Sequence, residues 1–474
     1  MATLLSVGID VGTTTTQVVF SHIALDNVAG YFSAPKISIT DREIIYRGPV
    51  HRTPLSDSVH IDGAALADIV RGEFDRAGYT PEQVDTGAVI ITGESARKEN
   101  AAIVLENLSR FAGSFVVSTA GPDLESAVAG KGSGAWTYSR ENECRVLNLD
   151  IGGGTTNLAL FDCGELVHRS CYDIGGHLVL VDGDLKVLSV SPPARIVAEA
   201  EGLPIAPGSL TTIGDLERLT RRMAELLACA AGLGGDSELL ERLRTPNSAN
   251  ETAPRADRLC FSGGVAACMA NPPADPMAYG DIGPLLAKAI LNGRLYRDTR
   301  QIPAGETIGA TVIGAGVYTT SLSGSTIFYQ QGILPVKNVP ALRLDSEAER
   351  DLYAGSGEAL ERQVRWFMDQ GDAENLLICM KGQGDPSFEA LKACAETLCD
   401  VLDAALPFGA PILVAMENDT AKAAGTLMAR HANGARRVAV IDAIRPVTGE
   451  YVDIGPPVMN GMVVPVAVKT LLFG

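Results

Sequence analysis

The chain contains no run of eighteen or more apolar residues, so no segment reads as a membrane-spanning helix. Basic charge is scarce. The 39 Lys and Arg stand against 57 Asp and Glu, a formal net charge of −18, which argues against a nucleic-acid partner held by basic patches. The nine cysteines form no C-x-x-C pair; their odd number and scatter fit reduced cytosolic thiols rather than a disulfide framework. The six histidines form no H-x-x-x-H or H-E-x-x-H cluster, which argues against a zinc hydrolase. The opening MATLLSVGID has no basic stretch ahead of its apolar residues, so no cleaved signal peptide is expected. Two phosphate-loop patterns also fail. Lys131 in GKGSG is followed by Gly132, where a P-loop needs Ser or Thr. Gly314-Ala315-Gly316 leads to Thr319, where a dinucleotide fingerprint needs its third glycine.

What is present is ordinary globular composition, 46% hydrophobic and 20% charged, over 474 residues. That length exceeds one compact core, so two or three domains are expected. The strongest local signal is CRVLNLDIGGGTTNLALF, from Cys144 to Phe161. An apolar run ends in Asp150, followed by Gly152, Gly153 and Gly154, then Thr155 and Thr156, and a second apolar run returns. Glycines admit positive φ and close approach of a ligand to the backbone. Free amides in such a turn form an anion-binding concavity, hydroxyls add donors, and a carboxylate can hold magnesium or orient water. Alone, the segment could equally be a hairpin with a glycine-rich turn capped by Asp150. The chain, however, opens with the same grammar in LLSVGIDVGTTTTQVVF, from Leu4 to Phe20, with Asp10, Gly12 and the hydroxyls Thr13, Thr14, Thr15 and Thr16. Two such hairpins suggest two related halves facing each other across a cleft.

Along the chain, Ser21 to Pro54 reads as an antiparallel meander and Asp62 to Gly78 as a helix, with Asp62 as N-cap and Gly78 as stop. Val89 to Thr92 and Phe115 to Ser118 read as strands, with a helix from Ser95 to Phe111 between them. Leu124 to Gly130 reads as a small-residue helix. His177 lies in DIGGHLVLVDG and is expected to be structural. Ile213 to Ala231 reads as a long helix, and 236–257 as an exposed loop with a short helix. Ser262-Gly263-Gly264 is a strand-to-helix turn with bare backbone. Its plain reading is a tight turn, and its functional reading is a place for a base and ribose. Glu306 to Leu322 reads as a helix with small residues on one face. Farther on, the strands 375–380, 411–416 and 437–441 alternate with helices 387–405 and 420–432, a βαβ pattern. Glu417-Asn418-Asp419-Thr420 ends one of these strands, and an N-cap by Asn418 or Asp419 is expected there.

In their order, the two Asp–Gly–Thr hairpins, the two small-residue helices and Ser262-Gly263-Gly264 resemble the actin, Hsp70 and sugar-kinase ATPase superfamily. Within it, SVGIDVGTTTTQVVFS, AVIITGESARKENA, AGPDLESAVAGKGSGA, LNLDIGGGTTNLALFD, GDIGPLLAKAI and the closing IDAIRPVTGEYVDIGPPVMNGMVVPVAVKTLLFG are similar to the ethanolamine ammonia-lyase reactivating factors. The resemblance implies an α/β fold with two actin/Hsp70-like ATPase lobes around a nucleotide cleft, over 1–140 and 141–325, and a C-terminal α/β domain over 326–474. It implies a chaperone-like ATPase that exchanges damaged cobalamin on ethanolamine ammonia-lyase for adenosylcobalamin, located in the cytosol and with a bacterial microcompartment. ATP and Mg²⁺ would be its cofactors. Carried over residue by residue, Asp10, Gly12, Thr13, Thr14 and Thr15 and then Asp150, Gly152, Gly153, Gly154, Thr155 and Thr156 would hold phosphates and Mg²⁺. Asp150 would orient water or metal with Asp10 as partner, and Ser262, Gly263 and Gly264 would line the adenosine side. Glu94 and Glu125 are weaker catalytic candidates that could simply cap helices. A small-molecule kinase of the same superfamily is the alternative. A cobalamin-binding scaffold would lack the D-x-H-x-x-G signature, and an actin-like filament is a third reading.

Overall fold

The structure, a computed structural model, describes residues 2–12, 14–29, 37–57, 60–92, 95, 98–109, 111, 116–119, 122–245, 253–318, 321–369 and 374–469. Its first sheet contains β1 (Ala2–Val11), β2 (Thr15–Asn27), β3 (Ile37–Arg47), β4 (His51–Arg52), β5 (Thr86–Ile91) and β6 (Val116–Thr119). The order is β3-β2-β1-β5-β6, with β4 added to β2. β1 and β2 form an antiparallel hairpin, whereas β5 joins β1 in parallel after a crossover. Alternation divides β1 between two faces. Leu5, Val7, Ile9 and Val11 pack with Leu66, Val70 and Phe74, which recur every four residues on helix Gly63–Ala77. Asp10 belongs to the other set. That helix starts and stops as its sequence implies: Asp62 accepts the amide of Ala65, and Gly78 takes φ of 77°.

The second sheet repeats this plan. Its strands are β7 (Arg145–Ile151), β8 (Thr156–Asp162), β9 (Glu165–Tyr172) and, after the small pair β10 (Val179–Val181) and β11 (Val187–Val190), β12 (Arg258–Ser262). The order is β12-β7-β8-β9, with an antiparallel β7–β8 hairpin and β12 parallel to β7. Asp10 faces Gln17 in the first hairpin as Asp150 faces Asn157 in the second.

Two helices cross between these sheets. Helix Pro122–Gly132 packs on β7, β8 and β9, whereas helix Ala310–Tyr318 packs on β1, β2 and β5. They touch backbone to backbone. A Cβ on Gly132 would lie 1.8 Å from the Ala310 carbonyl oxygen, and one on Gly314 would lie 2.0 Å from that of Val128. Only glycine permits this approach. The second crossing helix is shorter than its sequence implies, because Ser321–Leu322 leaves it to pair as a strand.

That strand, β13 (Ser321–Leu322), opens a third sheet with β14 (Phe328–Tyr329), β15 (Val336–Arg343), β16 (Leu377–Met380), β17 (Ile412–Met416), β18 (Val438–Asp442), β19 (Tyr451–Ile454) and β20 (Pro465–Lys469). The order is β13-β20-β19-β15-β16-β17-β18-β14, parallel from β15 to β18. Helices Ser346–Tyr353, Glu358–Met368, Phe388–Ala405 and Ala421–Ala432 share one core with alternate residues of these strands. The sheet is not an isolated appendage. Ala467 of β20 is buried with Ala88, Ile90, Val128 and Ala315, and Val463 with Leu4, Ile23 and Leu25.

Three sequence expectations need correction. The helix expected over Ser95–Phe111 is interrupted: Ser95 is helical, 98–100 form a bend and turn, and Ala101–Ser109 is helical again. The helix expected to reach Ala231 ends at Ala228 and continues as a π turn, Cys229–Leu233. The cap of helix Ala421–Ala432 is Thr420, without a side-chain bond; Asn418 instead accepts the Thr420 amide and hydroxyl, at 3.3 and 2.6 Å. Among the described residues, no helix is long and apolar enough to cross a membrane.

Candidate functional site

The two hairpins close with the same bond. Gly12 N donates to Thr15 O at 2.8 Å, and Gly152 N donates to Thr155 O at 2.9 Å. Their surroundings differ. The Gly12 carbonyl accepts from Thr53 Oγ1 at 2.8 Å and Ser95 Oγ at 2.9 Å. Behind the second turn, Gly176 N and His177 N donate to the Gly152 and Gly153 carbonyls at 3.0 and 2.7 Å. The tips meet across the cleft, since a Cβ on Gly153 would lie 3.4 Å from Thr14 Cγ2. The amides of Gly153, Gly154 and Thr155 have no acceptor among the described residues, which leaves three donors for an anion.

Below the turns lie the two carboxylates. Asp150 is buried, with Oδ1 accepting from Ser262 Oγ at 2.7 Å and Oδ2 from Thr311 Oγ1 at 3.4 Å. Ser262 also accepts from Asn148 Nδ2 at 3.1 Å, and Asn148 Oδ1 takes the Ser133 hydroxyl at 2.8 Å. Among the described residues Asp10 has one weak support, Thr92 Oγ1 at 3.3 Å. Burial, and then the charge of Asp150, push the Asp10 carboxyl up to about 7 against the pull of Thr92. Burial also raises Asp150, opposed by Ser262 and Thr311. Among the described residues, no positive group opposes either shift. Among the described residues no group of three or more His, Cys, Asp and Glu side chains could hold a metal. Any cation here would complete its shell with non-protein oxygens.

A cleft of about 600 Å³ opens above, lined among others by Thr14, Thr15, Gly152, Gly153, Gly264 and Tyr279. Gly12 closes the first turn beside it. Gly154 and Thr155 are buried in the second turn, and Thr156 is buried with its hydroxyl on Ile174 O at 2.6 Å. Ser262 does not line the cleft as expected: it is fully buried, and its hydroxyl orients Asp150. Gly263, at φ of 89°, brings its backbone against β7, where a Cβ would lie 2.4 Å from Ile151 O. Glu125 is the fourth residue of helix Pro122–Gly132, within the helix rather than at its cap. Thr13 and Glu94 lie outside the described residues. Sequence reasoning missed Thr53, Thr92 and Thr311, single hydroxyls whose roles arise only from tertiary packing. It also set aside His177, which lines the cleft with Nδ1 2.9 Å from Asp281 Oδ2. The adjoining Gly175 was the available signal, for a Cβ there would lie 2.4 Å from Gly153 O.

A family model described as "Ethanolamine utilisation protein EutA" matches residues 2–474. The chain is 40% identical over 473 residues to the ethanolamine ammonia-lyase reactivase EutA of Escherichia coli (strain K12), covering 99% of this chain and 98% of that one. It is 39% identical over 473 residues to the protein of the same name from Salmonella typhimurium, with the same coverage. Among solved structures, a Ppx/GppA family member from Aquifex aeolicus is 16% identical, with a TM-score of 0.34 over 66% of this chain and 88% of that one.

Proposed function

The chain belongs to the family of ethanolamine utilisation protein EutA, and on that premise we propose that it reactivates ethanolamine ammonia-lyase through ATP bound in the inter-lobe cleft. Hydrolysis would drive a change of shape that lets damaged cobalamin leave the lyase and adenosylcobalamin enter. The observation that carries this reading is the pair of opposed hairpins, tip to tip, over a buried and a half-buried acid that have no positive neighbour among the described residues. Two carboxylates flanked by hydroxyls converge below the turns, and the raised carboxyls are what a hard divalent cation would relieve, so the residues fit Mg²⁺. Asp10 and Asp150 would hold it, and when bound it would neutralise phosphate charge.

The protein's own groups do the rest. Thr14 and Thr15 supply hydroxyls from one lobe, and the amides of Gly153, Gly154 and Thr155 supply donors from the other. A phosphate chain gripped by both hairpins ties the lobes together, and loss of the terminal phosphate releases that tie. Gly264 offers bare backbone to the nucleoside. The segments 1–140 and 141–325 act in this reading as the two lobes, and 326–474 as the lyase-docking domain. Cytosolic location beside a microcompartment belongs to the same proposal.

The test is lyase inactivated with an adenine-lacking cobalamin, then given this protein, Mg²⁺, ATP and adenosylcobalamin. Ammonia release should recover with the wild type and fail with Asp150→Ala. ATP consumption without recovery would reject the lyase as client, and phosphate appearing on ethanolamine would favour a kinase.

A further inference from the structure

The cleft contains an ionisable group that the two acids do not replace. His177 follows Gly175 and Gly176 in the loop after β9, and its amide is tied to the tip of the second hairpin through Gly153 O. A Cβ on Gly153 would stand 3.2 Å from His177 Cβ and 3.4 Å from Thr14 Cγ2, so the imidazole springs from the point where the two hairpins meet. Its Nδ1 lies 2.9 Å from Asp281 Oδ2, and Asp281 is itself fixed, with Oδ1 accepting Gly283 N at 2.9 Å. A carboxylate can only accept, so Nδ1 carries the proton and the neutral ring keeps its lone pair on Nε2. Nε2 has no partner among the described residues, and the residue lines the cleft. Asp150 is less free for this work, because both of its oxygens already accept hydroxyl protons from Ser262 and Thr311.

Resting on the nucleotide reading above, we propose that His177 is the catalytic base of phosphoanhydride hydrolysis in this cleft, with Asp281 as its positioning residue. Water attacks the terminal phosphorus. The new P–O bond forms as the bond to the bridging oxygen breaks, and that electron pair leaves on the nucleoside diphosphate. The water proton passes to Nε2, and the imidazolium so formed is stabilised by Asp281 until phosphate departs and the proton returns to solvent. Four other ionisable side chains line the same cleft: His51 and Arg52 of β4, Cys268 and Tyr279. Arg52 would hold phosphate charge and cannot accept a proton.

The experiment separates binding from cleavage. Titration with a fluorescent ATP analogue reads binding, and single-turnover hydrolysis of Mg·ATP reads the bond-breaking step, for the wild type, His177→Gln and Asp281→Asn. His177→Gln should bind nucleotide within about threefold of wild type and cleave it about 100-fold more slowly. Asp281→Asn should slow cleavage about tenfold with binding retained, and added imidazole should restore part of the rate to His177→Ala. Wild-type cleavage by His177→Gln, or a rate that falls only in step with binding, would overturn the assignment of His177 alone. Failure of the wild type to bind the analogue would instead overturn the nucleotide reading, and this step with it.

Discussion

The two hairpins share a strand register and a closing hydrogen bond, yet they hold their acids differently. Asp150 is gripped by two hydroxyls, one from β12 and one from the helix that crosses to the other sheet. Asp10 has, among the described residues, a single long contact from Thr92, and its carboxyl is pushed up to about 7. One acid is preorganised, while the other is left to be fixed by whatever binds. The repeat therefore conserves backbone geometry and divides the electrostatic labour, as expected where a fixed group must meet an adjustable one.

The sharpest way to break the comparison is to remove the preorganised acid. Asp150→Ala should lower ATP hydrolysis at least about 100-fold, while thermal unfolding shows the fold retained. Equal loss of melting temperature and activity would mean that Asp150 serves the fold. Asp10 gives the next effect, through pH. Its carboxyl binds protons more tightly folded than unfolded, so its stabilising contribution is complete below about pH 4 and is lost as pH rises through about 7. The swing is on the order of 2–4 kcal/mol. Ligand-free protein should thus weaken across that window, and Asp10→Asn should flatten the decline in urea titrations. Nucleotide with Mg²⁺ should raise the melting temperature more at pH 8 than at pH 6.

The crossing helices come third. Gly314→Ala puts a methyl group 2.0 Å from the Val128 carbonyl oxygen, a backbone atom that cannot step aside. It should cost about 3 kcal/mol by chemical denaturation, whereas Gly72→Ala, with open space around it, should not destabilise. Equal effects would mean that the helices slide apart freely.

Much of this was legible locally. Period-two alternation, Asp62 with Gly78, and the paired Asp–Gly–Thr turns are each written within a few residues, so their elements stand where the sequence points. What stayed hidden depends on distant chain. Ser321–Leu322 looks helical until β20 offers it a partner. Ser262 looks like a turn residue until the parallel register of β12 on β7 sets it beside Asp150. The third domain reads as separable, yet Ala467 and Val463 complete cores in the first sheet. Deleting 330–474 would strip those cores, so client docking is better tested with surface substitutions in that domain.

The smallest effect tests the grip on Asp150 directly. In Ser262→Ala, the Asp150 Oδ1 atom loses its 2.7 Å donor and Asn148 Nδ2 loses its acceptor, both in a fully buried layer. The buried network makes each loss count, and about 1–3 kcal/mol of stability should go with the hydroxyl. Thr92→Val, at the looser acid, removes one 3.3 Å contact beside a carboxyl that is protonated for part of the pH range. It should cost about 1 kcal/mol or less at pH 6, where Asp10 holds its proton. A Thr92→Val penalty as large as that of Ser262→Ala would show that the two acids are held alike, and the division of labour between the hairpins would fall.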